Sequence, residues 1–160
     1  GRLEAILNFQ TMVIELTGME IANASLLDEG TAAAEAMALL FDVRTRDQKK
    51  NNVCKFFVSE EILPQTLSVL QTRSTPLNIE LVVGNHETFD FSSDYYGAIL
   101  QYPGKFGQDI SQHPLIQQAD IIHLHWVNKG FLSLEGISYL IKTNNKIIFI
   151  YIYFCCKRLV

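Results

Sequence analysis

The chain has 160 residues, of which 48% are hydrophobic and 19% charged. This length and composition are typical of one folded domain and exclude a wholly disordered chain. The formal net charge of -4 disfavours nucleic-acid or anionic-membrane binding, because both kinds of partner attract a surplus of cations. Of the three cysteines, Cys155 and Cys156 are adjacent, which gives no disulfide framework and predicts a reduced, cytoplasmic location.

Charge is unevenly distributed along the chain. Residues 1–107 hold eight Lys or Arg and fourteen Asp or Glu, whereas residues 108–160 hold five and three. The change follows YPGKFGQ at residues 102–108, a Pro- and Gly-containing stretch that favours a loop. Two segments of different origin, joined near residue 108, explain this pattern. An ordinary domain with a hydrophobic last layer explains it equally well.

The first third of the chain is predicted to be helical. Apolar residues recur at helical spacing over residues 3–16, and Thr17-Gly18 end that helix. Ser25 and Asp28 resemble a capping box and precede an Ala-rich helix that runs to about Phe41. The many alanines make this helix thin, so it can pack closely against a sheet.

A strand–helix–strand pattern follows. The polar stretch from Arg44 to Asn52 is expected to be an exposed loop. Strands are predicted over residues 55–58, 79–84 and 96–101, and Pro64 fits the first turn of the helix between the first two. Strands that alternate with helices through short connections predict an α/β fold with a parallel sheet and right-handed crossovers.

The last third of the chain is more apolar. A strand is expected over residues 120–126, a helix over 132–141 and a final strand over 146–154. The longest apolar run, residues 147–156, has ten residues, whereas a membrane-spanning helix needs about 20. We therefore predict no membrane span.

One candidate binding site lies at the start of the Ala-rich helix. Ser25, Gly30 and Thr31 offer hydroxyl groups and backbone N–H groups at the positive end of a helix dipole, which suits a phosphate. The alternative is a capped helix whose glycine allows close packing, since no Gly-rich fingerprint or Walker-type lysine is present.

A second candidate lies on the strand predicted over residues 120–126. His123 and His125 alternate across one residue and share a face, but ordinary hydrogen-bonded histidines near a strand end are commoner than metal ligands. We predict no metal site. Ligands of open α/β sheets bind at the carboxyl ends of strands, which favours a substrate contact from His125. We predict no catalytic residues, because neither a Ser/His/Asp nor a Cys/His arrangement can be identified.

Long stretches of the chain resemble the glycine decarboxylase family, the P-protein of the glycine cleavage system. The resemblance rests first on GRLEAILNFQTM at residues 1–12 and NASLLDEGTAAAEAM at residues 23–37. It continues through FFVS (56–59), PQTL (64–67), VVG (82–84), FDF (89–91) and QYPG (101–104). It covers residues 1–108 in order.

This resemblance implies a pyridoxal-phosphate enzyme of the aspartate-aminotransferase fold type (fold type I). Such enzymes form an imine with glycine, release CO2 and pass the aminomethyl group to a lipoyl carrier, the H protein. The family's Schiff-base lysine lies in its C-terminal half, and none of the four lysines of residues 1–108 matches its motif. The resemblance therefore implies an N-terminal lobe fragment of glycine dehydrogenase (decarboxylating), inactive without the C-terminal lobe. Ser25, Gly30 and Thr31 then become lobe-interface or cofactor-neighbour residues.

Residues 109–146 resemble a different family. The segment ADIIHLHW at residues 119–126 is similar to the N-terminal domain of retaining glycosyltransferases of the GT-B fold. That likeness implies a second domain over residues 109–160, a partial Rossmann-like βαβ segment that ends in an atypical apolar tail. It leaves open an alternative function, a fragment of an enzyme that transfers sugar from a nucleotide-sugar donor, with His125 and Trp126 at the sugar acceptor.

Overall fold

The chain contains two compact units, each with a three-stranded parallel sheet. The computed structural model describes residues 1–17, 21–24, 26–90, 94–101, 105, 122–125 and 148–151. One unit comprises Gly1–Glu29 and Ile116–Val160, and the other comprises Gly30–Leu115. The predicted α/β class with a parallel sheet is confirmed. Within the described ranges, no helix combines the length and apolar character needed to cross a membrane.

The first unit begins with a long helix. Its elements are α1 (Arg2–Thr17), β1 (Ile21–Ala22), β5 (Ile122–His125) and β6 (Ile148–Tyr151). The strands pair in parallel in the order β1-β6-β5. The Gln10 side-chain amide donates a hydrogen bond to the Ala22 carbonyl oxygen at 2.9 Å, and Val13 is fully buried. The hydrogen bond attaches the second half of α1 to β1.

The second unit holds most of the described residues. Its elements are α2 (Glu29–Asp42), α3 (Arg46–Lys50), β2 (Lys55–Ser59), α4 (Pro64–Ser74), a 3-10 turn (Thr75–Leu77), β3 (Glu80–Gly84) and β4 (Tyr95–Ile99). The strand order is β3-β2-β4, all parallel, with Phe57 opposite Val82 on one side and Ala98 on the other. β2 is therefore the central strand.

The core of the second unit forms around β2. Because side chains alternate along a strand, Phe56 and Val58 share one face and pack in a cluster with buried residues of α2 and α4, including Met37 and Leu70. On the alternate positions, Phe57 stacks on Phe89 with ring centroids 3.7 Å apart. Both faces of β2 are covered, which explains its near-continuous apolar sequence.

The polar stretch predicted to be a loop contains a helix. Thr45 caps α3, because its hydroxyl accepts from the Gln48 backbone N–H while the Gln48 side chain accepts from the Thr45 N–H. This reciprocal capping box stabilises a short helix that has no buried residue. The prediction of a loop for Arg44 to Asn52, made from the polarity of this stretch, was therefore wrong over Arg46–Lys50, because capping bonds stabilise a helix there without apolar residues.

The remaining elements lie close to their predicted positions. Pro64 occupies the first turn of α4, as predicted. α2 begins at Glu29, just after the predicted Ser25/Asp28 start, and Ser25 lies outside the described residues. The helix predicted over residues 132–141 also lies outside them.

Candidate functional site

The carboxyl ends of the parallel strands β2 and β3 meet at one edge of the second unit's sheet. Ser59 ends β2 and lies opposite Gly84, which ends β3. The Glu60 backbone N–H donates to the Gly84 carbonyl oxygen at 2.8 Å and continues the pairing past the strands. In α/β proteins, ligands bind outside this edge of the sheet. We call it the carboxyl edge.

A buried Ser–His pair joins the two strand ends. Ser59 Oγ lies 3.0 Å from His86 Nδ1, and the two residues are 1% and 5% exposed. The Glu61 backbone N–H donates to the same Ser59 oxygen at 3.2 Å. Because Ser59 has almost no accessible surface, its hydroxyl is suited to holding these groups in place and not to nucleophilic attack on a substrate.

The segment after β4 lies on the β2–α4 loop. The Lys105 ammonium donates to the Glu60 carbonyl oxygen at 2.7 Å, and the Lys105 backbone N–H donates to the Glu61 carbonyl oxygen at 2.9 Å. The Gln101 side-chain oxygen accepts from the Leu63 backbone N–H at 3.0 Å. These three contacts bring residues that follow β4 onto the carboxyl edge.

Two buried polar atoms flank the start of α4. Among the described residues, Glu61 Oε2 and Thr66 Oγ1 are the buried side-chain atoms that have no hydrogen-bond partner. Leu63, at the N-cap of α4, makes no side-chain capping bond. Buried polar atoms are normally paired, because leaving one unpaired costs about 1–3 kcal/mol. Near the start of α4, the carboxyl edge therefore has two buried oxygen atoms that can still form hydrogen bonds.

The structure describes two of the three residues predicted as a binding site at the start of the Ala-rich helix. Gly30 is buried and Thr31 is half-buried in the first turn of α2, so the structure places them together. Ser25 lies outside the described residues. Binding of a phosphate or cofactor by these three residues stays a prediction.

Of the two residues predicted to contact a sugar acceptor, the structure describes one, and only by its position in a strand. His125 is the last residue of β5, opposite Tyr151 of β6. Trp126 lies outside the described residues. The glycosyltransferase resemblance of residues 109–146 and the boundary near residue 108 also stay predictions.

Sequence reasoning missed the Ser59, Glu61 and His86 cluster. No site role was predicted for Ser59, Glu61 or His86. The available signal was position, because Ser59 ends an apolar strand and Glu61 and His86 each lie two residues beyond a strand end. In a parallel sheet, residues that follow strands gather at one edge.

The described lysines do not fit a covalently held pyridoxal phosphate, the cofactor that the resemblance implies. An imine-forming lysine is activated by desolvation or by a neighbouring cation. Lys49 and Lys50 are exposed on α3, and Lys55 lies at the amino end of β2, away from the carboxyl edge. Lys105 is exposed, and its ammonium donates to the Glu60 carbonyl. No reaction step is therefore assigned to these lysines.

Comparisons with a family model and with curated proteins all match the chain to the same family of enzymes. The family model described as glycine cleavage system P-protein matches residues 1–134. The chain is 91% identical over 108 residues to a glycine dehydrogenase (decarboxylating) of Flavobacterium johnsoniae, a match that covers 68% of this chain and 11% of that protein. It is 56% identical over 119 residues to the same enzyme of Synechocystis, which covers 74% and 12%.

The fold of this chain is also similar to that of a solved structure. It is a crystal structure of glycine decarboxylase, the P-protein of the glycine cleavage system, in inhibitor-bound form. The match has a TM-score of 0.53 at 25% sequence identity and covers 71% of this chain and 26% of that one. The chain thus spans about a ninth of the length of the curated relatives it matches.

Proposed function

Because the chain belongs to the glycine cleavage system P-protein family, we propose that it is part of the N-terminal lobe of a glycine dehydrogenase (decarboxylating). The observation that carries this proposal is the 91% identity over 108 residues to the Flavobacterium johnsoniae enzyme. The family match over residues 1–134 supports it. Since the chain spans 11% of that relative, it acts within a longer P-protein and does not decarboxylate glycine by itself.

The proposal includes the cofactor and partners of the glycine cleavage reaction. Pyridoxal phosphate supplies an electron sink for the loss of CO2, and a lysine in the C-terminal half of the P-protein, outside this chain, holds it. Ser25, Gly30 and Thr31 act as lobe-interface or cofactor-neighbour residues. The partners are the C-terminal lobe and the lipoyl carrier protein, and the location is the cytoplasm.

The carboxyl edge has a supporting role in this proposal. The Ser59–His86 hydrogen bond ties the end of β2 to the loop after β3, and Lys105 ties the β2–α4 loop to the segment after β4. Side chains fixed by packing and hydrogen bonds hold a neighbouring site in a productive geometry. We assign this edge to shaping the lobe and not to the chemical step.

A segment exchange tests the proposal. Residues 1–108 of this chain replace the matched segment of the Flavobacterium johnsoniae enzyme, and glycine-dependent CO2 release is measured with lipoyl carrier protein and pyridoxal phosphate. We expect activity comparable to that of the unmodified enzyme. The 160-residue chain alone serves as the control and is expected to release no CO2. A hybrid that folds and retains the cofactor but releases no CO2 contradicts the proposal.

A further inference from the structure

We draw no further inference here: the strongest candidate, the pair of buried oxygen atoms Glu61 Oε2 and Thr66 Oγ1 at the start of α4, belongs to the carboxyl edge already described, and both atoms are covered by the chain itself, so they mark no opening for a ligand.

Discussion

Ser59 Oγ and His86 Nδ1 lie 3.0 Å apart, although the two residues are 27 positions apart in the chain. The pair connects the last residue of β2 to the loop that follows β3. Both side chains are buried, and a hydrogen bond in such surroundings matters most through the cost of leaving it unmade. The pair therefore fixes the two strand ends that form the carboxyl edge.

Ser59→Ala is expected to lower the free energy of unfolding by about 1–3 kcal/mol. The substitution removes a hydrogen-bond partner of His86 and also the acceptor of the Glu61 backbone N–H. Urea titration measures the change. Ser68→Ala on the exposed side of α4 is the control, with an expected change within about 0.5 kcal/mol. Equal stability of Ser59→Ala and the wild type contradicts a structural role for the pair.

Two glycines in the strands on either side of β2 are expected to respond differently to alanine. A Cβ at Gly97 comes 2.9 Å from Phe56 Cε2 and 3.1 Å from Leu40 Cδ1, whereas a Cβ at Gly84 comes only to 3.4 Å from Phe57 Cε2. Overpacking a core costs about 1–3 kcal/mol, so Gly97→Ala lowers the Tm. Gly84→Ala fits without a clash. Equal thermal melts of the two variants contradict the packing around Phe56.

Tyr96 makes stability depend on alkaline pH. Burial raises the pKa of its phenol above the ordinary value of 10.0, the Arg44 guanidinium opposes this shift, and Cys54 adds to it. Just above pH 10, the Tyr96 phenol therefore stays protonated in the folded state but loses its proton in the unfolded state. The stabilisation is therefore complete below pH 10 and is lost as the pH rises above that value.

The variant Tyr96→Phe separates this pH effect from packing. It loses the hydrogen bond from the phenol to the Met37 carbonyl oxygen, so at pH 8 it is expected to be less stable than the wild type by about 1 kcal/mol. Above pH 10 the difference narrows, because the variant has no proton to retain at this position. Urea titrations between pH 8 and pH 11 measure both effects. A constant difference across this range contradicts the raised pKa.

The elements that could be predicted from the sequence are those with local signals. The apolar run around Phe57 predicted β2, the alanines before Met37 predicted α2, and Pro64 marked the first turn of α4. Each signal depends on residues a few positions apart. The capping box of α3 is equally local, but it lies in a polar stretch where periodicity carries no information.

The carboxyl edge could not be predicted in the same way. The contact between Ser59 and His86 depends on the pairing of β2 with β3, and the contact between Glu60 and Lys105 depends on where the chain runs after β4. Neither depends on spacing along the sequence. Nor does the sequence show that Glu61 Oε2 is buried without a partner, because that requires the packing of the loop.

Thr66→Val is expected to stabilise the chain by about 1 kcal/mol or more. Thr66 is 4% exposed, and its hydroxyl has no partner among the described residues, so an apolar group of the same shape removes a desolvation cost. Thr72→Val is the control, because the exposed Thr72 hydroxyl donates to the Ser68 carbonyl oxygen. Differential scanning calorimetry gives the two Tm values. A lower Tm for Thr66→Val shows that the hydroxyl is paired in solution.

The carboxyl edge exists only if β2, β3 and β4 pair in parallel with β2 at the centre. Amide hydrogen exchange of the 160-residue chain, followed residue by residue, tests this most directly. We expect the slowest exchange at Phe56–Val58, because these amides are hydrogen-bonded within the central strand and surrounded by the core, and core strands open only with global unfolding. Ser59→Ala is expected to speed exchange at Glu61 more than at Phe56. Fast exchange throughout β2, or protection in β3 and β4 without β2, contradicts the fold and the site built on it.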